Sequence, residues 1–463
     1  MASTYISRAN TSTGNQKIWT MSGWFKRALP SANTDFVFCY AATVGAGSSA
    51  RGYIRFNGTS SDSGIKIGFN PTGSSWSEYT VQENSTNIAL RDVSAWYHIV
   101  FAVDTTQSTA ADRVKVYING SLKSMSGYPS QNFDTGYNAN GYTHEFGSYP
   151  AGRSNGYFDG SMAHLHFIDG TQYAASDFGE TDTTSGIWKP KTAPSVTYGG
   201  NGVFLKFENS GAMGTDSSGN SNTFTPGGTL TQNVDTPSNV FACWNTQMNS
   251  AASGIWSNAN LTIAPNGDSF QLYAPITFPL SKGKWYSEHM ITGGNGYGSL
   301  GLSGASNISD IFRTGEEPGL TAPSFAFKCI NGSIKMNNAN TTYGSAPGTS
   351  DAILGMAVDI DNKKVWYHVN GTYVTYDGGV GDPAGGNYGF DWSSLSDDFG
   401  WLHVCGDSEN NGYGNWKSNF GSGFFGTAAV ASANADANGF GAFEYAVPSG
   451  YYAICTKNIK EFG

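Results

Sequence analysis

Two stretches of this chain carry the same local instruction. Residues 113–120, RVKVYING, alternate Val114, Val116 and Ile118 against Arg113, Lys115 and Tyr117 and then stop at Asn119-Gly120. Residues 354–374, LGMAVDIDNKKVWYHVNGTYV, alternate through Met356, Val358 and Ile360, turn at Asp361-Asn362, alternate again through Val365, Tyr367 and Val369, and turn at Asn370-Gly371. A period of two places successive side chains on opposite faces of a strand. Asn-Gly is the strongest short hairpin signal, because both central residues of a type I′ turn need positive φ. Each stretch is therefore read as antiparallel hairpins. Composition extends that reading to the whole chain. Charged residues are 13% against a usual share of about 25%, and Gly supplies 61 of 463 residues. Helices need charged straight-chain residues on their wet faces and lose about 1 kcal/mol per Gly, so an all-β chain is expected. With 28 Phe, 25 Tyr and 12 Trp, core material is ample, which excludes a disordered chain.

A length of 463 residues suits two domains. In the first, KIWTMSGWFKR (17–27) sets Trp19, Met21, Gly23 and Phe25 against Ile18, Thr20, Ser22, Trp24 and Lys26, and WYHIVFAVD (96–104) is a second apolar strand. GRSNGYFDGSMAHLHFIDG (152–170) is read as a turn followed by a strand with Met162, His164 and His166 on one face and Ala163, Leu165 and Phe167 on the other. The histidine pair could ligate a metal, but no third ligand is near in sequence; a satisfied polar sheet face is the simpler reading. DTPSNVFACWN (235–245) breaks the pattern with Asp-Thr-Pro, so the boundary is placed there: domains 1–234 and 235–463.

The net charge of -10, with no Lys/Arg cluster, argues against nucleic acid. No apolar run is long enough for a membrane span, and the start lacks a basic segment followed by an apolar one, so synthesis in the cytoplasm without a signal peptide is expected, with no membrane insertion. Five cysteines, Cys39, Cys243, Cys329, Cys405 and Cys455, are odd in number and widely spaced, which favours buried thiols over a disulfide framework or a zinc site.

The order WTMSGWFKR, WYHIVFAVD, RVKVYINGSLK, YFDGSMAHLHFIDG resembles the laminin-G-like or concanavalin A-like jelly-roll family over roughly residues 1–208, with VFLKFEN (203–209) as a return strand. The second half resembles the SPRY (B30.2-like) sandwich through KWYSEHMI, LGMAVDIDNKKVWYHVNG and SNFGSGFF. The tail VPSGYYAICTKNI (447–459), the start STYISRANTSTGNQKIWTMSGWFKR and TPSNVFACWN are similar to virion proteins of marine-type tailed bacteriophages. The resemblance implies two antiparallel β-sandwich (jelly-roll) domains in tandem, on the exposed surface of a virion. The first family often uses calcium, but no dense Asp/Asn ligand set matches its site, so no cofactor is expected.

A glucanase on such a sandwich would need two carboxylates about 5 Å apart on one strand face. The E-x-D-x-E type signal is absent; Asp359 and Asp361 end a strand and open a turn, and Glu288 and His289 are neighbours that point to opposite faces. No nucleophile elbow, H-E-x-x-H or phosphate loop appears, so the chain is expected not to be an enzyme. Recognition fits better. Residues 125–157, read as a long loop, hold Tyr128, Tyr137, Tyr142, Tyr149 and Tyr157 among Asn, Ser and Gly, and Tyr413 and Trp416 sit in a second set before SNFGSGFF. Tyrosine offers a stacking face and a hydroxyl at low entropic cost; the alternative for each ring is to pin its loop to the sandwich, and inward packing for Trp416. The expected function is host-surface attachment as a tail or fibre component that binds glycan or surface protein, as a homo-oligomer beside other virion proteins. The alternatives are a capsid or tail decoration that binds other virion proteins and, from another class, a tail-associated polysaccharide-degrading enzyme. No heptad stretch or repetitive shaft is present at either end.

Overall fold

The computed structural model describes all residues except 1–3, 29–34, 48, 58–63, 89, 153–155, 184–185, 249–253, 266–272, 294–297, 308–316, 348–350 and 408–414. The chain divides into two compact units, Met1–Gln232 and Asn233–Gly463. Both are β-sandwiches built from antiparallel strands.

In the first unit a continuous sheet folds over into two layers. The front layer runs in the order Thr225–Gly227, Tyr5–Ala9, Thr143–Phe146, Asp35–Ala41, Arg51–Asn57, Gly64–Asn70, Ser77–Glu83; the back layer runs Val203–Leu205, Gly160–Asp169, Ile18–Arg27, Tyr97–Asp104, Val114–Ile118, Ser121–Met125. Pairing of Met125 with Val81 joins the layers at one edge. Trp19, Met21, Phe25, Ile99 and Phe101 from the back meet Phe38, Ile54, Phe56, Ile67 and Phe69 from the front in one buried core. The alternate residues of the back strands, Thr20, Ser22, Trp24 and His98, are buried as well. The segment after Thr171 covers them: Thr20 Oγ1 donates to Thr171 O at 2.8 Å, Trp188 Nε1 donates to His98 Nδ1 at 3.0 Å, and Ala175 and Phe178 pack on Val100, Ala102 and Ile168.

Two expectations need correction here. Residues 125–157 are not one loop, because Thr143–Phe146 is a strand paired on both sides, with Tyr5–Ala9 and with Asp35–Ala41. The face assignment in 162–167 also fails. The register with Ile18–Arg27 shifts between Ala163 and His166, and His164 takes φ 47, the left-handed geometry of a β-bulge. The extra residue reverses the parity. Leu165 and Phe167 enter the core and Met162 packs against it, while Ala163 sits opposite Trp24 and His166 opposite Ser22 on the covered face. His166 stacks on Phe204 at 4.0 Å and lies 3.0 Å from the Tyr198 hydroxyl. His164 and His166 thus do not form an i, i+2 pair on one face.

The second unit packs a nine-stranded sheet, in the order Gly254–Ser257, Thr262–Pro265, Asn415–Asn419, Lys284–Thr292, Ile353–Asp359, Lys364–Val369, Thr372–Tyr373 with two short strands alongside, against a six-stranded one, in the order Tyr273–Pro275, Trp401–Asp407, Gly298–Gly304, Ser324–Lys328, Ser333–Met336, Ala339–Thr342. Between them Phe327 stacks on Tyr367 at 4.8 Å, and the Tyr367 hydroxyl donates to Leu300 O at 2.9 Å.

The two Asn-Gly turns solve the same problem in the same way. Asn119 and Gly120 have φ 47 and 82, and Asn370 and Gly371 have φ 49 and 81, as a type I′ turn requires. In each, the asparagine amide N–H and side-chain Oδ1 both bond one residue of the preceding strand in the sheet. Asn119 N donates to His98 O at 2.9 Å while its Oδ1 accepts His98 N–H at 2.8 Å; Asn370 does both with Ile353 at 2.8 and 2.9 Å. A third strand is thereby keyed to the turn, which glycine alone could not do. All five cysteines are buried, and no helix among the described residues is long and apolar enough to cross a membrane.

Candidate functional site

The strand Arg51–Asn57 reads RGYIRFN. Ile54 and Phe56 enter the core, so Arg51, Tyr53 and Arg55 face outward on the front layer. Register places Tyr53 opposite Gly68 and Gly68 opposite Glu78, so three neighbouring strands contribute an aromatic ring, a bare glycine and a carboxylate in one row. A Cβ on Gly68 would lie 2.7 Å from Tyr53 Cζ; without it the phenol crosses the strand and its hydroxyl donates to Glu78 Oε2. Arg55 Nη2 donates to the same oxygen at 3.0 Å, and Lys66 Nζ to Oε1 at 3.0 Å. Burial pushes the Glu78 carboxyl up, but its bonds to Tyr53 and Lys66 and the charges of Arg55 and Lys66 outweigh it and hold the group below its ordinary value.

Around this row lies an aromatic surface. Trp76 leans on Tyr53 with ring centroids 4.9 Å apart and stays 40% exposed. The Arg51 guanidinium lies 5.2 Å over the indole, and its Nη1 donates to Ser49 O at 2.8 Å. Tyr149 stacks on Phe36 at 4.7 Å and meets Tyr53 edge-on at 6.2 Å. Burial pushes the Tyr149 hydroxyl up to about 12, against the neighbouring charge of Arg51. The result is a half-open platform of Trp76, Tyr53 and Tyr149 edged by Arg51, Arg55 and Glu78.

The second unit holds a similar row on the outward face of its nine-stranded sheet. Asn419, Glu288, Gly355, His368 and Tyr373 stand opposite one another on five successive strands. A Cβ on Gly355 would fall 1.9 Å from His368 Nε2, so the imidazole lies across a glycine as Tyr53 does. Tyr286 bridges the gap: its hydroxyl is 3.0 Å from Glu288 Oε1 and 2.7 Å from His368 Nε2. Because His368 Nδ1 accepts Gly371 N–H at 3.1 Å, the hydrogen-bond pattern assigns the imidazole proton to Nε2, which donates to the tyrosine oxygen, which in turn donates to Glu288. Glu288 also accepts Glu444 N–H and Tyr445 N–H, both at 2.8 Å, and Asn419 Nδ2 at 3.4 Å. Burial pushes its carboxyl up to about 7 in spite of these donors. The residue types are those of an acid-base site. Glu288 and His368 are nevertheless 0% and 1% exposed, beneath a late segment whose Phe443, Tyr451, Ala453 and Cys455 pack on Tyr286, Ala357 and Trp366. This row fastens the C-terminal segment and offers no entry to a substrate.

Of the residues expected to contact a ligand, Tyr149 joins the platform. Tyr137 does not: it is fully buried, 4.5 Å from both Trp19 and Tyr40, with its hydroxyl donating to Phe38 O at 3.2 Å. Trp416 is also fully buried, its Nε1 donating to Gly406 O at 3.2 Å, so it fills the second sandwich as a wall of the core. Tyr128 and Tyr142 are half-buried against the first core, Tyr142 stacked on Tyr40 at 5.8 Å, and Tyr157 is half-buried. Tyr413 lies outside the described residues. Arg51, Tyr53, Trp76 and Glu78 were not anticipated. The signal for two of them, Arg51 and Tyr53, was present, since RGYIRFN alternates as cleanly as the hairpins that were read.

Glu288 and His289 do point to opposite faces; His289 lies between the sheets, with Nδ1 2.9 Å from Ser418 Oγ and Nε2 2.9 Å from Ser287 Oγ. Asp359 accepts from Asn362 N at 3.0 Å, Asn362 Nδ2 at 2.8 Å and Lys284 Nζ at 3.2 Å, while Asp361 accepts Gly283 N–H at 3.2 Å. Among the described residues no group of three His, Cys, Asp or Glu is placed to hold a metal ion.

Residues 1–176 match the family described as the concanavalin A-like lectin/glucanases superfamily, laminin G type. No curated protein sequence matches the chain. Solved structures similar to it include the SPRY domain of human HERC1, at 10% identity over 38% of this chain and 96% of that one with a TM-score of 0.28. A human SPRY domain matches at 19% identity over 34% and 89%, TM-score 0.25. The native heptameric SAP-like pentraxin from Limulus polyphemus matches at 19% identity over 37% and 71%, TM-score 0.26.

Proposed function

We propose that the chain is a non-enzymatic binding protein that recognises a surface glycan through the outward face of its first sandwich. The observation that carries this reading is the Trp76 platform, where an exposed indole and Tyr149 meet Tyr53, two guanidiniums and a carboxylate that project from adjacent strands of the sheet. An aromatic face takes the apolar side of a sugar ring, and charged fork and carboxylate groups bond its hydroxyls. The concanavalin A-like match over the same residues agrees with it. A purely binding role is supported by the fate of the carboxylates: Asp359 is taken up by its own turn, Asp361 accepts Gly283 N–H, and Glu288 is sealed.

The second unit is read as SPRY-like from its 354–371 stretch and from SNFGSGFF, where Asn419 Oδ1 accepts Gly421 N–H at 2.9 Å and Gly423 N–H at 3.0 Å and so shapes the turn. From the resemblance of the two ends to tailed-phage virion proteins we further propose that the chain serves on a tail or fibre surface as a host-attachment component. Two measurements test it. Purified protein should be retained on immobilised bacterial surface polysaccharide and release no new reducing ends, and Trp76→Ala should abolish retention while leaving the thermal transition in place; retention unaffected by Trp76→Ala would refute the platform. Gold-labelled antibody on intact particles should mark tails or fibre tips, and label confined to heads would make the chain a decoration protein.

A further inference from the structure

Building on the glycan-platform reading, we infer that the ligand is an acidic glycan, one whose sugars carry carboxylate or sulfate. Charge accounting on the front face motivates this. Arg51, Arg55 and Lys66 stand on two adjacent strands, and Glu78 answers two of them, bonding Arg55 and Lys66. Glu145, a second carboxylate among the described residues of this face, is fully buried and accepts from Ser148 Oγ. Arg51 has no acidic partner among the described residues. It is held in place by Ser49 O and by the indole of Trp76.

A second observation points the same way. Arg55 Nε is buried and without a hydrogen-bond partner, although Nη2 of the same group is committed to Glu78. A buried donor left unmade costs free energy, and guanidinium is the side chain shaped to meet a planar two-oxygen anion. So, among the described residues, a cation with no counter-ion lies over one exposed indole and an unused donor borders Tyr53 beside it, in a chain whose net charge is -10. That excess of positive charge is local, and a neutral sugar would leave it unanswered. A uronate or sulfated ring stacked on Trp76 would bring its anion to the Arg51 side.

The test uses the full chain with three probes of similar length: a polyuronate, a neutral glucan and poly-glutamate, each followed by titration calorimetry at low and high salt. The polyuronate should bind most tightly and weaken with salt. Arg51→Gln should weaken it by about tenfold, the loss expected for one charge-assisted pair, without altering the thermal transition. Trp76→Ala should abolish it. Neutral glucan bound at least as tightly as polyuronate, with dependence on Trp76 and none on Arg51, would overturn the acidic assignment and leave the platform standing. Failure of both polysaccharides would overturn the platform itself. Poly-glutamate bound as tightly as polyuronate and indifferent to Trp76→Ala would show a bare charge effect and also overturn the inference. Should Arg51→Gln lower stability, the ranking of the three probes on the unaltered chain still decides.

Discussion

The Tyr53, Gly68, Glu78 row of the first unit and the His368, Gly355, Glu288 row of the second are built alike and end opposite in character. Each lays a ring across a glycine toward a glutamate on the next strand. In the first, Arg55 and Lys66 flank the glutamate, solvent reaches it, and its carboxyl is held below the ordinary value. In the second, the glutamate meets neutral donors under a covering segment and its carboxyl is pushed up to about 7. The difference teaches that a pattern of residues across strands does not make a site. What the later chain lays over the row decides between a surface that can bind and a fastening that cannot.

The broadest way to break the comparison is acid, because the covered regions carry the histidines. Burial lowers all seven, to about 3 for His98, His144 and His403 and about 4 for His368, and well below the ordinary value for His166 and His289; His164 follows in the same direction. A lowered histidine contributes stability above its unfolded value, near 6.5, and loses it as pH falls, by roughly 1 kcal/mol per pH unit each. Asp35 and Glu288, raised to about 7, act with the opposite sign, their contribution being present below about 4 and lost as pH rises through 7. Asp159, raised by burial as well, joins them, and seven against three leaves a net loss on acidification. Circular dichroism should show cooperative unfolding that begins below about pH 6.5; a fold unchanged down to pH 4 would mean the histidines are not sealed.

Next come the two glycines. Gly355→Ala drives a methyl into an imidazole that is bonded on both ring nitrogens and cannot withdraw, and should cost the second unit about 3 kcal/mol. Gly68→Ala meets the ring of Tyr53, which can tilt toward solvent, and should cost less than about 1 kcal/mol. Equal shifts in calorimetry would erase the distinction between covered and open rows. Glu288→Gln, by turning an acceptor into a donor among donors, should cost about 2 kcal/mol. That cost should shrink as pH rises from about 4 through 7, since only the wild type then loses the contribution of its protonated carboxyl. Glu78→Gln should change denaturant stability by less than about 1 kcal/mol, as expected of a part-exposed ion pair. Smallest of all is Trp76→Ala, within about 0.5 kcal/mol of wild type by the same titration, because its ring is largely on the surface.

Much of the fold was legible. The hairpins at Asn119-Gly120 and Asn370-Gly371 follow from alternation and turn chemistry, both carried by a few consecutive residues. Thr143–Phe146 was not legible, since four residues inside a Tyr-, Asn- and Gly-rich stretch carry no period, and their strand exists because two neighbours pair with them. The faces of His164 and His166 were misassigned for a related reason: one residue of a bulge reverses every side chain after it, and the bulge is set by the partner strand. Within the candidate site, Tyr149 was reachable from composition, but Tyr137, drawn from the same stretch, looks identical in sequence and is buried against Trp19.

By itself the sequence determined the period of each strand, the positions of the type I′ turns, the β-rich composition and the supply of aromatic core, because these depend on residues within a few positions of one another. Only the tertiary structure decided which rows form across strands, which glycine lies beneath which ring, and which glutamate is sealed. Those outcomes rest on register between segments up to about a hundred and fifty residues apart, such as Glu288 and the amides of Glu444 and Tyr445, and on burial, which no local pattern encodes.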